Sequence, residues 1–530
     1  MVKNFTKIGE ICELSITFAE YCWIIMQKRE EKESRTAYDQ VIKYTGLFGG
    51  VQGVNLLTSI VRNKLASLIL GPAGLGIVSL YNTAVSFVGN ATNLGISFSA
   101  VRHVSELYAS GDEAALCRFV RVVRGWSLLA AVLGVLFCCL CSPFLSQSYF
   151  RTMAEWHTFV WLSPVVGLTA LAGGELALLK AARQLRQVAV QSVVNSLLVL
   201  LITVPIYWVW GSRGIVASLG LVALSTWLTT LYFSRRIFPF SPGRGGGYAL
   251  AGGGQMVRLG LAFIFAGVCG SVVELVVRAY MMQVGSEAEV GLYNAGSVVT
   301  ITYASMVFTA IDTEFFPRLS AVNQSVAKCN EMINRQIEIT LLLISPLLTL
   351  LLLGMPLIFP LLYSYEFLPV VAMAQCAVFS LYMRAMSLPV AYLSLAKGRL
   401  WVFLFTDVVY DVVAIGLLVG GYALDGLRGT GIALSLAAVF DLVLVWSVGH
   451  FLYGYRMGAK ALCMLGKQIP FGLAIFFMAF CLDGWVYYCL STLCVSGSFL
   501  VSFHTLRRET TLLQTLRKKI TDYLSRRKPR

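Results

Sequence analysis

Apolar runs of about 20 residues recur along almost the whole of this chain. No other feature limits its fold as tightly, because a helix of that length crosses a hydrocarbon core of ~30 Å. Charged residues are 13% of the 530 positions, against roughly 25% in a soluble domain, and the mean hydropathy is +0.74. The expected fold is an all-α polytopic membrane protein. A formal net charge of +15 would suit a nucleic-acid binder, but the basic residues lie in alternate loops and not on one soluble face, so no nucleic-acid partner is expected. The thirteen cysteines sit mostly inside apolar runs. Cys138 and Cys141 form a CxxC with no second pair and read as membrane filler, not as a metal or redox site.

Fourteen spans are expected, at 44–70, 76–100, 122–146, 157–179, 188–210, 214–233, 257–284, 290–310, 337–363, 367–395, 400–422, 429–451, 469–482 and 485–503. Twelve is the alternative, with the last two segments as a re-entrant hairpin. The chain then divides into an N-terminal arm (1–43), a six-helix bundle (44–236), a Gly-rich linker (237–256), a second six-helix bundle (257–453), an extra helix pair (454–503) and a basic tail (504–530). In the arm, Glu10, Glu13 and Glu20 interrupt the apolar stretch. Residues 11–26 therefore read as an interfacial amphipathic helix and not as a signal peptide. One alternating set of loops is rich in Lys and Arg, from Arg102, Arg118 and Arg121 to Arg456, Lys460 and Lys467, whereas the opposite set carries only Arg151, Arg213 and Arg428. The positive-inside bias places the basic loops and both termini in the cytoplasm.

The two bundles resemble one another. Arg62, Gly71, Leu80-Tyr81-Asn82 and Arg102 recur as Arg278, Gly285, Leu292-Tyr293-Asn294 and Arg318, displaced by 212 to 216 residues. An even number of spans separates the copies, so the repeats run parallel, related by an axis along the membrane normal.

Four basic residues, Arg62, Lys64, Arg278 and Arg384, fall inside spans. An intramembrane arginine is costly and faces protein or a wet cavity. Arg62 and Arg278 are repeat mates at similar depth and read as cavity-lining. Glu274, four residues before Arg278, is placed to pair with it. Arg384 is a third candidate, while Lys64 reads as a snorkelling residue. Gln52, Asn55, Ser59 and Arg62 follow one face of the first span, and Asn82, Ser86, Asn90, Asn93 and Ser97 one face of the second. Asn294, Ser297, Ser305, Thr309 and Asp312 repeat the pattern on the eighth. Interhelical hydrogen bonds could account for one such stripe; three on repeat-related helices point to a shared wet cavity. Asp407, Asp411 and Asp441 form a candidate site for Na⁺ or H⁺, the alternative being neutralisation of a buried cation such as Arg384. The chain has no GxxxxGK[ST] loop, no HExxH and no large soluble segment. An enzyme is not expected, and no cofactor is implied beyond a coupling ion.

The stretch Gly49-Gly50-Val51-Gln52 to Arg62, followed by Leu70-Gly71-Pro72-Ala73-Gly74-Leu75-Gly76, resembles the opening of Wzx-type polysaccharide flippases. These belong to the MOP exporter superfamily with the lipid II flippases and MATE drug antiporters. The resemblance is good over 44–106, recognisable over 257–319, and elsewhere one of hydropathy and span order. It implies a MOP/MATE-like pair of pseudo-symmetric bundles in the bacterial inner membrane. It also implies a substrate: an undecaprenyl-pyrophosphate-linked oligosaccharide, such as an O-antigen unit for lipopolysaccharide, moved from the cytoplasmic to the periplasmic leaflet by alternating access. On that reading Arg62, Arg278 and Arg384 hold the pyrophosphate, since Arg suits bidentate phosphate recognition. Gln52, Asn55, Asn82, Asn90, Asn93, Asn294 and Glu274 would meet the rest of the headgroup. Membrane lipid, a polysaccharide polymerase and chain-length machinery are the expected partners. The alternatives are a MATE-like antiporter, for which Glu175 is the strongest acid in the first bundle, and a non-transporting scaffold without a wet cavity.

Overall fold

The computed structural model describes residues 50–96, 100, 104, 113–182, 184–238, 254–302, 308, 315–316, 318–482 and 484–509. The interfacial helix expected at 11–26, residues 239–253 of the linker and the tail beyond 509 lie outside them. The described residues are helical, with no strand among them, and ten helical runs are long and apolar enough to cross a membrane.

Three of the ten double back on themselves. The first is α1 (Gly50–Thr92), broken at Gly71, whose φ of +64° is left-handed backbone that suits a residue without a Cβ. Asn55 and Ser86 would be about 46 Å apart in a straight helix, yet both line one cavity, so α1 is a hairpin. Then come α2 (Glu113–Phe150), α3 (Trp156–Ala181), α4 (Leu185–Trp210) and α5 (Ile215–Ile237). A turn at Gly211–Gly214 joins α4 to α5, and Ser218 donates to the Tyr207 hydroxyl across it at 3.0 Å.

The second half holds α6 (Gly254–Val284), α7 (Glu287–Ser297, continued by a π-turn to Thr302), α8 (Val326–Leu362), α9 (Val370–Ala396) and α10 (Leu400–Tyr453). Ser286 caps α7 by accepting from the Glu289 amide. α10 turns at Asp425 and Gly426, and a Cβ on Gly421 of one arm would lie 2.6 Å from the Gly429 carbonyl of the other. The expected eighth span is α7, described as far as Thr302. Finally α11 (Ala459–Cys481) and α12 (Gly484–Glu509) pack on α8, and each is long enough to cross. Hydropathy placed the start of this pair at residue 469, but α11 begins at Ala459. Lys460, Lys467 and Gln468 depress the apolar signal there, whereas in the fold Gln468 is fully buried, donating to Ser502 at 2.8 Å and accepting from Ser498 at 2.7 Å.

The two repeats touch at equivalent positions. A Cβ on Gly76 of α1 would overlap the Glu287 carbonyl, and one on Gly291 of α7 would overlap that of Pro72. The contact is reciprocal, as a pseudo-two-fold axis between the repeats requires. At this same end Lys64, expected to snorkel, instead donates to the carbonyls of Pro360 (2.6 Å) and Tyr363. Those are orphan acceptors of the last turn of α8 and favour a cation. Gln283 of α6 donates to the Ser148 carbonyl of α2 at 2.6 Å. α6 packs on both α2 and α10 and so bridges the halves.

Towards the opposite end of the first half, a buried ion pair joins three helices. Arg124 of α2 reaches Glu175 of α3 through Nε (2.8 Å) and Nη2 (3.2 Å), and Nη2 also donates to the Phe238 carbonyl at 3.1 Å. Ser234 of α5 donates to the same carboxylate at 2.5 Å. Removing one member of a buried pair strands the other charge, at about 3–5 kcal/mol. Glu175→Ala is therefore expected to lower the melting temperature of the purified protein markedly, with Glu175→Gln falling between. A thiol-reactive-dye melt showing no change would remove this pair from the list of what holds the first half together.

Candidate functional site: a cationic cavity between the halves

A cavity of about 590 Å³ lies between the repeats, lined by α1, α4, α5, α6 and α7. The helical period delivers its polar residues: Asn55, Ser59 and Arg62 from one arm of α1, and Ser79, Asn82 and Ser86 from the other. α6 adds Glu274 and Arg278 one turn apart, α7 adds Asn294, and α4 adds Thr203 and Tyr207. Two repeat-related pairs, Arg62 with Arg278 and Asn82 with Asn294, thus converge on one space.

The two arginines differ in their surroundings. Arg278 is 7% exposed. Its Nε donates to Ser79 at 2.9 Å, its Nη1 to Glu274 at 2.8 Å, and the guanidinium carbon lies 5.6 Å from the Tyr293 ring centroid, within cation–π range. Arg62 is half-buried, and among the described residues its side chain makes one long contact, 3.5 Å, to the Asn63 side chain. Among the described residues no carboxylate pairs with it. Among the described residues, Arg62, Arg278 and Glu274 are the charged lining residues, and together they are net cationic.

Other expected site residues are placed differently. Asn55 lines the cavity, but its amide is committed at both ends, donating to Ser192 at 2.8 Å and accepting from Ser196 at 2.6 Å. Asn90 lies off the cavity and ties α1 to α6 through Ser271 (2.7 Å) and the Gly267 carbonyl (3.3 Å). Gln52 is exposed and Asn93 half-buried, neither of them lining the cavity. Ser97, Ser305, Thr309 and Asp312 lie outside the described residues. An amide stripe reads the same whether it faces water or a neighbouring helix, so spacing alone could not separate these roles. Ser79, which orients Arg278, went unnoticed in the sequence, although it sits one turn before Asn82 on the same face.

Arg384 also lies apart from this cavity. It is exposed, in the electrostatic field of Asp441. On the first arm of α10, Asp411 lies in the field of Asp407, and Asp407 in that of Asp441 on the second arm. Asp411 is 9% exposed and its Oδ2 meets no donor. Among the described residues, however, no three His, Cys, Asp or Glu side chains are close enough to hold a metal ion. Glu175 is buried against Arg124 and does not line this cavity.

Paired helical repeats around a polar chamber define the class of fold, a polytopic helical membrane protein of two related halves. The solved structures agree on that fold. The lipid II flippase MurJ in an inward closed conformation superposes with a TM-score of 0.66 over 87% of this chain and 99% of that one, at 12% identity. An inward-facing MATE family multidrug resistance transporter of the MOP superfamily gives 0.59 over 76% and 94%, at 14% identity. In sequence, 282 residues are 24% identical to the lipid III flippase of Escherichia coli (strain K12), and equally to that of Shigella flexneri. Those residues are 51% of this chain and 65% of each relative. Residues 65–372, more than half of the chain, match the family described as polysaccharide biosynthesis protein, and the chain belongs to that family.

Proposed function

We propose that this protein is a flippase for a polyprenyl-pyrophosphate-linked oligosaccharide, an undecaprenyl-linked repeat unit of O-antigen or another surface polysaccharide. The observation that carries this reading is the convergence of Arg62 and Arg278, one from each repeat, on a chamber that has a single carboxylate among its described lining residues. A doubly charged pyrophosphate cannot cross hydrocarbon unaided, and two guanidinium forks match its oxygens. Asn82, Asn294, Ser86 and Thr203 offer donors and acceptors to sugar hydroxyls. The lipid III and lipid II flippases among the similar proteins support the same substrate class.

The basic loops set both termini in the cytoplasm, which makes the Gly71 end periplasmic. The Gly76–Gly291 contact and the Lys64 bonds to α8 join the halves there, which supports uptake from the cytoplasmic leaflet and release when that end parts. Coupling to Na⁺ or H⁺ at Asp407, Asp411 and Asp441 belongs to the same proposal; the unpartnered Asp411 carboxylate supports it. A drug antiporter that uses Glu175 has the Arg124 pair against it.

The test is a leaflet assay. In a strain deleted for this gene, with no redundant flippase, lipid-linked oligosaccharide is expected to accumulate on the cytoplasmic face and to reach the periplasmic face again on re-expression. An unchanged leaflet distribution would end the flippase reading.

A further inference from the structure

Among its described residues the chamber is lined by two arginines and one acid, Glu274, in a site that would otherwise suit an anion. We propose that Glu274 is a displaceable counter-anion: it occupies Arg278 while the chamber is without substrate and yields that arginine to the incoming pyrophosphate. The inference rests on the pyrophosphate reading above and assigns Glu274 a role in affinity and release.

Exposure within the pair is lopsided. The Arg278 side chain is 9% exposed and that of Glu274 is 61%. A buried guanidinium needs an anion, and stranding it is costly. An exposed carboxylate gains little from staying paired and returns to water readily. The replacement of Glu274 by another anion is thus cheap, whereas its loss with nothing in its place is not.

Arg278 does not depend on Glu274 for its position. Ser79 holds Nε and the Tyr293 ring lies beside the guanidinium, so departure of the glutamate frees Nη1 and leaves the fork aimed. Such preorganisation limits the ordering cost of binding.

The repeat supplies an internal control. Four residues before Arg62, where Glu274 stands relative to Arg278, the first repeat has Thr58. Thr58 donates to the Val54 carbonyl of its own helix at 2.9 Å, and among the described residues Arg62 has no acid beside it. The carboxylate is therefore not something the repeat's packing demands. Its effect is to set a competitor against the substrate at one of two arginines. Two unopposed arginines would hold a pyrophosphate firmly in the ground state, and such binding does not speed a cycle that must end in release.

The experiment uses the full chain, purified and placed in nanodiscs. Binding of geranylgeranyl pyrophosphate and of uncharged geranylgeraniol is measured for wild type, Glu274→Gln, Glu274→Asp and Arg278→Ala. Flipping of a fluorescent short-chain polyprenyl-pyrophosphate disaccharide in proteoliposomes gives kcat and KM. Glu274→Gln is expected to bind the pyrophosphate about tenfold more tightly, with KM and kcat both lowered, and Glu274→Asp to restore wild-type behaviour. Unchanged or weaker binding by a Glu274→Gln protein of wild-type melting temperature overturns the proposal. So does a drop in melting temperature with KM unmoved, which is what a purely structural pair would give. Wild-type protein that fails to prefer the pyrophosphate over the alcohol defeats the substrate reading itself, and this inference with it. Loss of that preference in Arg278→Ala beside an unaltered Glu274→Gln defeats only the counter-anion role.

Discussion

Flux of lipid-linked oligosaccharide is expected to fall at least about 100-fold in an Arg62→Ala, Arg278→Ala double variant present at wild-type level. Hydrogen bonds to a charged group contribute about 1.5–3 kcal/mol each, and each 1.4 kcal/mol is tenfold. Losing one such bond from each repeat therefore accounts for the estimate. The folded state should tolerate the change. Among the described residues Arg62 has one weak contact, and removing Arg278 leaves behind Glu274, which is already exposed to the chamber. Size-exclusion profiles would show whether the variant is still monodisperse. The Arg62→Lys, Arg278→Lys pair keeps both charges without the planar fork and is expected to lose about tenfold. Wild-type flux in the double alanine variant would remove the pyrophosphate from this cavity and return the arginines to a packing role.

Gly291→Val is expected to abolish the recovery of monodisperse protein. Its added Cβ would collide with the Pro72 carbonyl and come within 2.9 Å of the Gly76 nitrogen. These are backbone atoms, so no side chain can turn aside; α1 and α7 must separate. Gly76→Val meets the Glu287 backbone in the same way and should behave alike. Overpacking in a core costs about 1–3 kcal/mol when side chains can adjust, and here they cannot. The comparison is Gly220→Ala, where a Cβ meets nothing within 4 Å and alanine favours the helix by about 1 kcal/mol. Equal yields from Gly291→Val and Gly220→Ala would show that the repeats do not rely on this close approach.

The sequence carried the bundles and the cavity's charged pair because both leave periodic traces. Apolar runs mark the helices, and the recurrence of Arg62 and Asn82 as Arg278 and Asn294 singles out four residues that line the chamber. The i, i+4 spacing of Glu274 and Arg278 likewise appears as a bond. Contacts between residues far apart in the chain leave no such trace. Nothing in the spacing tells that Arg124 would find Glu175, or that Lys64 would reach Pro360 and Tyr363 instead of a headgroup. Gly76 belongs to a recognisable Gly-rich motif, but only the fold shows that the motif spares room for the other repeat's backbone. The amides divided for the same reason. Asn82 faces the chamber while Asn90, two turns on, is spent on α6.

The Lys64 contact has a consequence of its own. Its acceptors are two peptide carbonyls at the end of α8, not a carboxylate. A carbonyl takes up no proton in any pH range that leaves the protein folded, so acidification leaves this bond as it is. A fastener of this kind reports distance alone: it holds while α1 and α8 are adjacent and lets go when they part.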